Sequence, residues 1–192
     1  MKNATQEKPK DAIQLLKADH EKVKDIFDQF EESDSMAEKK KLAAQAINEL
    51  KIHATIEEEL FYPSVRSQIE DEDGIMDEAD EEHHVAKVLI AELDKMNGSE
   101  DHWEAKVTVL AENVRHHIKE EESEMLPEAK KTDIDFVALG DQMWELKQTL
   151  LKNGVPPTAE ADMVGQSGLR GDSPAKNAEK KIEVPLKEKA TR

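Results

Sequence analysis

Four stretches of this chain repeat apolar residues in steps of three and four, the period of one helical face, and each repeat is interrupted by a histidine. The first helix is predicted over 10–32, with Ile13, Leu16, Val23, Phe27 and Phe30 in line. The gap between Leu16 and Val23 divides into four and three at His20. The second begins near Met36, behind the capping candidates Ser33, Asp34 and Ser35. Its stripe runs Ala43, Ala46, Leu50, His53, Glu57, Leu60, Ser64. The third, over 75–96, aligns Ala79, His83, Ala86, Ile90 and Leu93 and stops at Asn97-Gly98. The fourth, over 100–130, aligns Trp103, Val107, Leu110, Val114, His117, Glu121 and Met125. Four long amphipathic helices with short connections specify an all-α, up-down antiparallel four-helix bundle. A shorter fifth helix over 136–151 packs Phe136, Leu139, Met143 and Leu146 or Leu150 against it.

Beyond residue 152 the periodicity stops and Gly, Pro, Ser and Lys take over. The expected organisation is a bundle over 1–152 and a disordered tail over 153–192. The tail carries seven basic and six acidic residues; the whole chain has a formal charge of −17, so the bundle carries −18. Such a balance argues against an electrostatic binder of nucleic acid or of an anionic membrane, both of which need a basic face. No apolar run reaches the ~20 residues of a membrane-spanning helix, and no signal-peptide core is present. The expectation is a soluble cytoplasmic protein. Cysteine is absent, which removes disulfides, thiolate metal sites and cysteine nucleophiles.

Imidazole and carboxylate therefore remain as the ligand chemistry. His53 precedes Glu57 by four residues, and His117 precedes Glu121 by four, so each pair shares one helical face. His53, Glu57, Glu58 and Pro63 recur as His117, Glu121, Glu122 and Pro127, all 64 residues on; His20 and His83 are 63 apart. This spacing describes a site with pseudo-two-fold symmetry. A bare carboxylate or imidazole inside an apolar bundle costs several kcal/mol on the order of magnitude set by desolvation, unless it is paired or binds metal. Six such groups, His20, His53, Glu57, His83, His117 and Glu121, suit two metal ions, each with two imidazoles and with both glutamates bridging. Mixed nitrogen and oxygen ligation suits iron or manganese, with zinc an alternative.

The adjoining residues read differently. His84 stands beside His83, but its stripe passes through Asp80 and Lys95, so His83 is the expected ligand. His102 and His116 are expected at the surface, as are Glu58 and Glu122. Phe61-Tyr62 and Met125-Leu126 read as packing, with Tyr62 able to donate a hydrogen bond to a bound oxygen species. Pro63 and Pro127 remove backbone hydrogen bonds to Glu59 and Ser123 and are expected to disturb their helices.

The order of these motifs, with the segments EEHHVAKVLIAEL and VRHHIKEEESEMLP, resembles the hemerythrin-like HHE cation-binding family over about residues 10–130. The resemblance implies a hemerythrin-like bundle holding two non-haem iron ions, oxo- or hydroxo-bridged, with the six residues above as ligands. Two departures from the oxygen-carrying hemerythrins stand out. Ala79 occupies the position of their additional histidine, and Glu121 lies four residues after His117 where they place an aspartate five after. The implied function is a di-iron protein that binds or senses O2, NO or peroxide. The alternatives are a di-iron enzyme acting in peroxide disproportionation or NO reduction, and iron storage or delivery.

Overall fold

Asp11 starts the first helix by accepting a hydrogen bond from the Gln14 amide at 2.8 Å, which satisfies one of the amides a helix start leaves unpaired. In the computed structural model, which describes residues 8–69 and 74–165, helix α1 runs Ala12–Glu32. Ser35 caps α2, Met36–Ile56, through the Glu38 amide. The same rod continues through a π turn, Glu57–Phe61, into α3, Tyr62–Arg66. Helix α4 spans Ile75–Leu93 and α5 spans Trp103–Glu120. A second π turn, Glu121–Met125, leads into α6, Leu126–Ala129. Helix α7, Phe136–Asn153, follows, and then α8, Ala159–Gly165.

Helices α1, α2, α4 and α5 form a closed ring in which each packs on the next, as the stripes predict for an up-down bundle. Helix α7 lies across α1 and α2. Its Gly140 sits against the start of α1, where a Cβ would come within 2.5 Å of the Ala12 nitrogen and 2.6 Å of the Asp11 carbonyl carbon. Only glycine lets the two backbones meet this closely.

Two apolar clusters fill the bundle. One gathers Leu16, Ile52, Ile56, Phe61, Met76, Met125, Leu139 and their neighbours; the other gathers Val23, Phe27, Phe30, Leu50, Ile90, Leu110 and theirs. The histidines interrupt the stripes between these two sets of residues. Trp103 is buried against Phe30, with ring centroids 5.9 Å apart, in the packing role expected of it.

Both π turns begin at an expected ligand glutamate. The Tyr62 amide reaches back five residues to the Glu57 carbonyl, and the Leu126 amide to that of Glu121. Pro63 and Pro127 follow at once and have no amide hydrogen for the normal ladder. The additional residue in each turn shifts the register of everything after it. Phe61 and Tyr62 are consequently buried, while Leu60, on the straight-helix stripe, is only half-buried.

Part of the segment expected to be a structureless tail is ordered. Asn153 ends α7, residues 154–158 cross towards α4, and α8 packs on α4. Two contacts hold it: the Glu160 carboxylate is buried against His84 Nδ1 at 3.0 Å, and Val155 packs on the apolar core. The rest of that expectation, 166–192, lies outside the described residues. No helix among the described residues is long and apolar enough to cross a membrane.

Candidate metal centre

The bundle brings His20 from α1, His53 from α2, His83 from α4 and His117 from α5 to a common interior point. Glu57 and Glu121 join them from the first residues of the two π turns. All six are buried, and both glutamates are at most 2% exposed. They fall into two groups whose candidate ligand atoms lie within 4.8 Å of one another. The first is His20, His53, Glu57 and Glu121; the second is Glu57, His83 and His117. Glu57 belongs to both, with Oε1 3.1 Å from His53 Nε2 and Oε2 3.3 Å from His83 Nε2. Glu121 Oε2 lies 3.0 Å from His20 Nε2 and groups with the first pair only. The spanning geometry expected of both glutamates is therefore seen at Glu57.

The imidazoles are oriented by carboxylates outside the cluster. His20 Nδ1 donates to Glu122 at 2.9 Å, His83 Nδ1 to Glu58 at 2.9 Å, and His117 Nδ1 to Glu82 at 2.8 Å. Asp19 Oδ2 faces His53 Nδ1 at 3.7 Å, an ion-pair rather than a hydrogen-bond separation. A proton kept on Nδ1 of His20, His83 and His117 by these carboxylates leaves Nε2, the atom that faces the centre, free to ligate a metal. Each outer carboxylate has a cationic or ionisable partner of its own: Lys147 for Asp19, Lys87 for Glu58, Lys17 at 3.7 Å for Glu122, and His116 at 3.6 Å for Glu82.

Burial alone would raise the carboxyl pKa of Asp19, Glu58 and Glu122. The imidazoles and lysines beside them outweigh it and hold all three below the ordinary range. Burial likewise disfavours a charged His53, yet Glu57 and Asp19 push it up to about 10. His83 rises to about 9 against the same burial penalty, through Glu57 and Glu58. Glu57 is held well below the usual range by His53 and His83. A cluster that drives protons onto buried imidazoles is one that demands positive charge.

The fit to metal rests on orphaned atoms. Both oxygens of Glu57, both of Glu121, and the Nε2 atoms of His20 and His53 are buried without a hydrogen-bond partner. Each unpaired group of this kind costs roughly 1–3 kcal/mol, more when charged. The atoms converge at close range in orientations unsuited to bonding one another, which is how ligands aim at an ion. Donors of this kind without thiolate suit iron, manganese or zinc.

A family profile described as the hemerythrin HHE cation-binding domain matches residues 11–129. The chain belongs to the hemerythrin HHE cation-binding family. The bundle is also similar to the crystal structure of a hemerythrin HHE cation-binding domain-containing protein from Mycobacterium kansasii. The TM-score is 0.60 at 23% identity, over 75% of this chain and 94% of that one. Among curated proteins, a DNA nickase of Nostoc sp. is 29% identical over 109 residues, covering 57% of this chain. The HHE chain spans only 30% of that relative's length.

Other residues fall where the stripes do not point. Glu58 and Glu122, expected at the surface, are half-buried and hold His83 and His20. The orienting carboxylates follow the same internal symmetry as the ligands. Asp19 and Glu82 immediately precede His20 and His83, and Glu58 and Glu122 immediately follow Glu57 and Glu121. Those offsets are the signal from which they were recoverable. His84 turns away from the cluster to Glu160, and His116 is exposed beside Glu120. His102 is exposed at the start of α5 in a left-handed conformation, φ 68°.

Tyr62 stands closer to the centre than packing requires. Its hydroxyl is 3.2 Å from His83 Nε2 and 3.4 Å from His117 Nε2. Burial, reinforced by Glu57 and Glu121, pushes the phenol well above its ordinary pKa, so it stays a proton donor. Ala79 is packed in the same apolar cluster as Tyr62.

Proposed function

We propose that His20, His53, Glu57, His83, His117 and Glu121 hold two non-haem iron ions, and that this centre binds or senses a small oxidant or diatomic molecule: O2, NO or peroxide. The observation that carries the reading is the convergence of partnerless buried atoms, with Glu57 spanning two histidine pairs. Iron pairs supply reversible electron transfer and binding positions for small oxygen and nitrogen species. The chain's own residues do the rest. The imidazoles are fixed by Asp19, Glu58, Glu82 and Glu122, the two apolar clusters limit water, and Tyr62 offers one hydrogen-bond donor towards the His83–His117 side.

Metal quantitation with an optical spectrum, recorded before and after azide or NO, tests this. Two irons per chain and a spectrum that responds to either ligand are expected. No metal after expression in iron-supplemented medium overturns the reading.

An enzyme acting on peroxide or NO at the same centre is the second reading, and Tyr62 is the observation that favours it, because its hydroxyl lies within 3.4 Å of two candidate ligand atoms and can donate a hydrogen bond to charge developing on a reacting oxygen. Rapid mixing of the reduced protein with peroxide or NO separates the two. Multiple turnovers support catalysis, and consumption limited to one equivalent per centre supports binding alone.

A further inference from the structure

A cavity of about 280 Å3 opens directly onto the four histidines. Its walls are aliphatic, supplied by Val23, Leu50, Ile90, Val114 and Ile118. Its roof is the ordered start of the C-terminal segment: Val155, Pro156, Pro157 and Thr158, then Ala161 of α8. That roof is tied to the centre. Glu160 bonds His84 and lies 3.9 Å from Lys87; Lys87 bonds Glu58, and Glu58 orients His83.

O2, NO and hydrogen peroxide are about the size of a water molecule, whose share of liquid volume is roughly 30 Å3. The cavity is many times larger, near the lower end of the roughly 300–1,000 Å3 seen for organic ligand sites. The charged residues on its walls are each matched by an opposite charge, Lys51 by Asp94, Lys87 by Glu58 and Asp19 by Lys147, which leaves no spare charge for an ionic ligand. Apart from the candidate metal ligands, one polar group there is unspent: Asn113 Oδ1 lines the cavity and is buried with no hydrogen-bond partner. An acceptor left in that state is satisfied by an O–H donor.

We infer that this cavity binds an apolar organic molecule carrying one hydroxyl or hydroperoxyl group, an organic hydroperoxide or its alcohol, with the aliphatic or aromatic body against the α2, α4 and α5 walls and beneath the α8 roof. The inference rests on the proposed iron centre only for the role of the oxygen-bearing end; the fit of the body is a property of the cavity.

The test uses the full chain as purified and 2-phenyl-2-propanol as an unreactive probe, followed by calorimetric titration with metal content measured on the same sample. Saturable binding of one probe per chain is expected. Ala86→Phe projects a ring into the cavity and weakens binding by about tenfold or more, a change of about 1.4 kcal/mol. Ala161→Phe, placed on α8 outside the four-helix ring, has the same effect and serves if the first variant does not fold. No saturable binding by the wild type overturns the inference, as does unchanged affinity in the folded variants. Probe binding by a chain that holds no metal overturns the proposed iron centre and leaves the cavity assignment standing.

Discussion

Lys147 of α7 and Asp19 of α1, 128 positions apart in the chain, form an ion pair buried in the protein interior. Asp19 also faces His53, so the pair links the fifth long helix to the candidate metal centre. A buried lysine is tolerated only when its charge is matched, and removing one partner of such a pair typically costs about 3–5 kcal/mol. Lys147→Met keeps the length of the side chain and strands the Asp19 charge. The expected loss is about 3 kcal/mol, read as a lower urea midpoint. Adding Asp19→Asn to the same chain recovers most of it; a double variant no more stable than Lys147→Met would refute the pairing argument.

The ligand set carries more of the stability with metal than without. In the metal-free chain, Glu57→Ala loses only the pairing with His53 and His83 and lowers stability by that amount. In the iron-loaded chain the same change, like His53→Ala, lowers the melting temperature, because metal binding contributes directly to folding free energy. Thermal unfolding with and without a chelator measures both. Equal shifts in the two states would count against a metal site.

Glu58 and Glu122 occupy equivalent places, one orienting His83 and the other His20. Loss of such an orienting partner costs roughly 10–100-fold in metal affinity. Glu58→Ala and Glu122→Ala should therefore each lower iron affinity by that order, seen by competition against a chelator of known strength. Substitution of Glu59, which is exposed on the same turn, provides the comparison and should leave affinity unchanged.

Tyr62→Phe deletes only the hydroxyl. Two irons per chain should remain, with stability altered by about 1 kcal/mol, the usual worth of one hydrogen bond. The azide or NO complex should weaken, since its only phenolic donor is gone. A titration followed by absorbance tells the outcomes apart, and an unchanged complex would assign Tyr62 to packing.

Gly140→Ala offers a check on the fold itself. In an isolated helix alanine would gain about 1 kcal/mol over glycine. Here its Cβ would meet the backbone of Asp11 and Ala12, which have no flexible end to move aside. Net destabilisation of about 1–3 kcal/mol is expected from such overpacking, and denaturant unfolding will show whether the sign is right.

How far the sequence could be read follows from these residues. Period-3.6 stripes are sufficient to place the long helices, because each buries one face, and the histidines that break the stripes are the residues that meet inside. Tyr62 was harder. On a straight helix it falls off the stripe of His53, and only the additional residue of the π turn rotates it inward. Lys147 was hidden for a different reason. A lysine on an apolar stripe reads as a surface interruption, and its partner lies on the far-removed α1. The packing of α8 on α4 brings in a buried glutamate, Glu160, from a segment too short and too polar to show an apolar period.

The internal 64-residue correspondence has one further consequence. It maps Glu57 onto Glu121 and Pro63 onto Pro127, but it maps Tyr62 onto Leu126. The His83–His117 side thus has a phenol beside it for which the second half of the sequence has only a leucine at the matching position. Any two ions held here would differ in environment, since a phenolic donor lies within reach of the His83–His117 side. That mismatch adds to the one at the glutamates, where Glu57 reaches both histidine pairs and Glu121 only one, so the symmetry of the sequence is not carried through to the site.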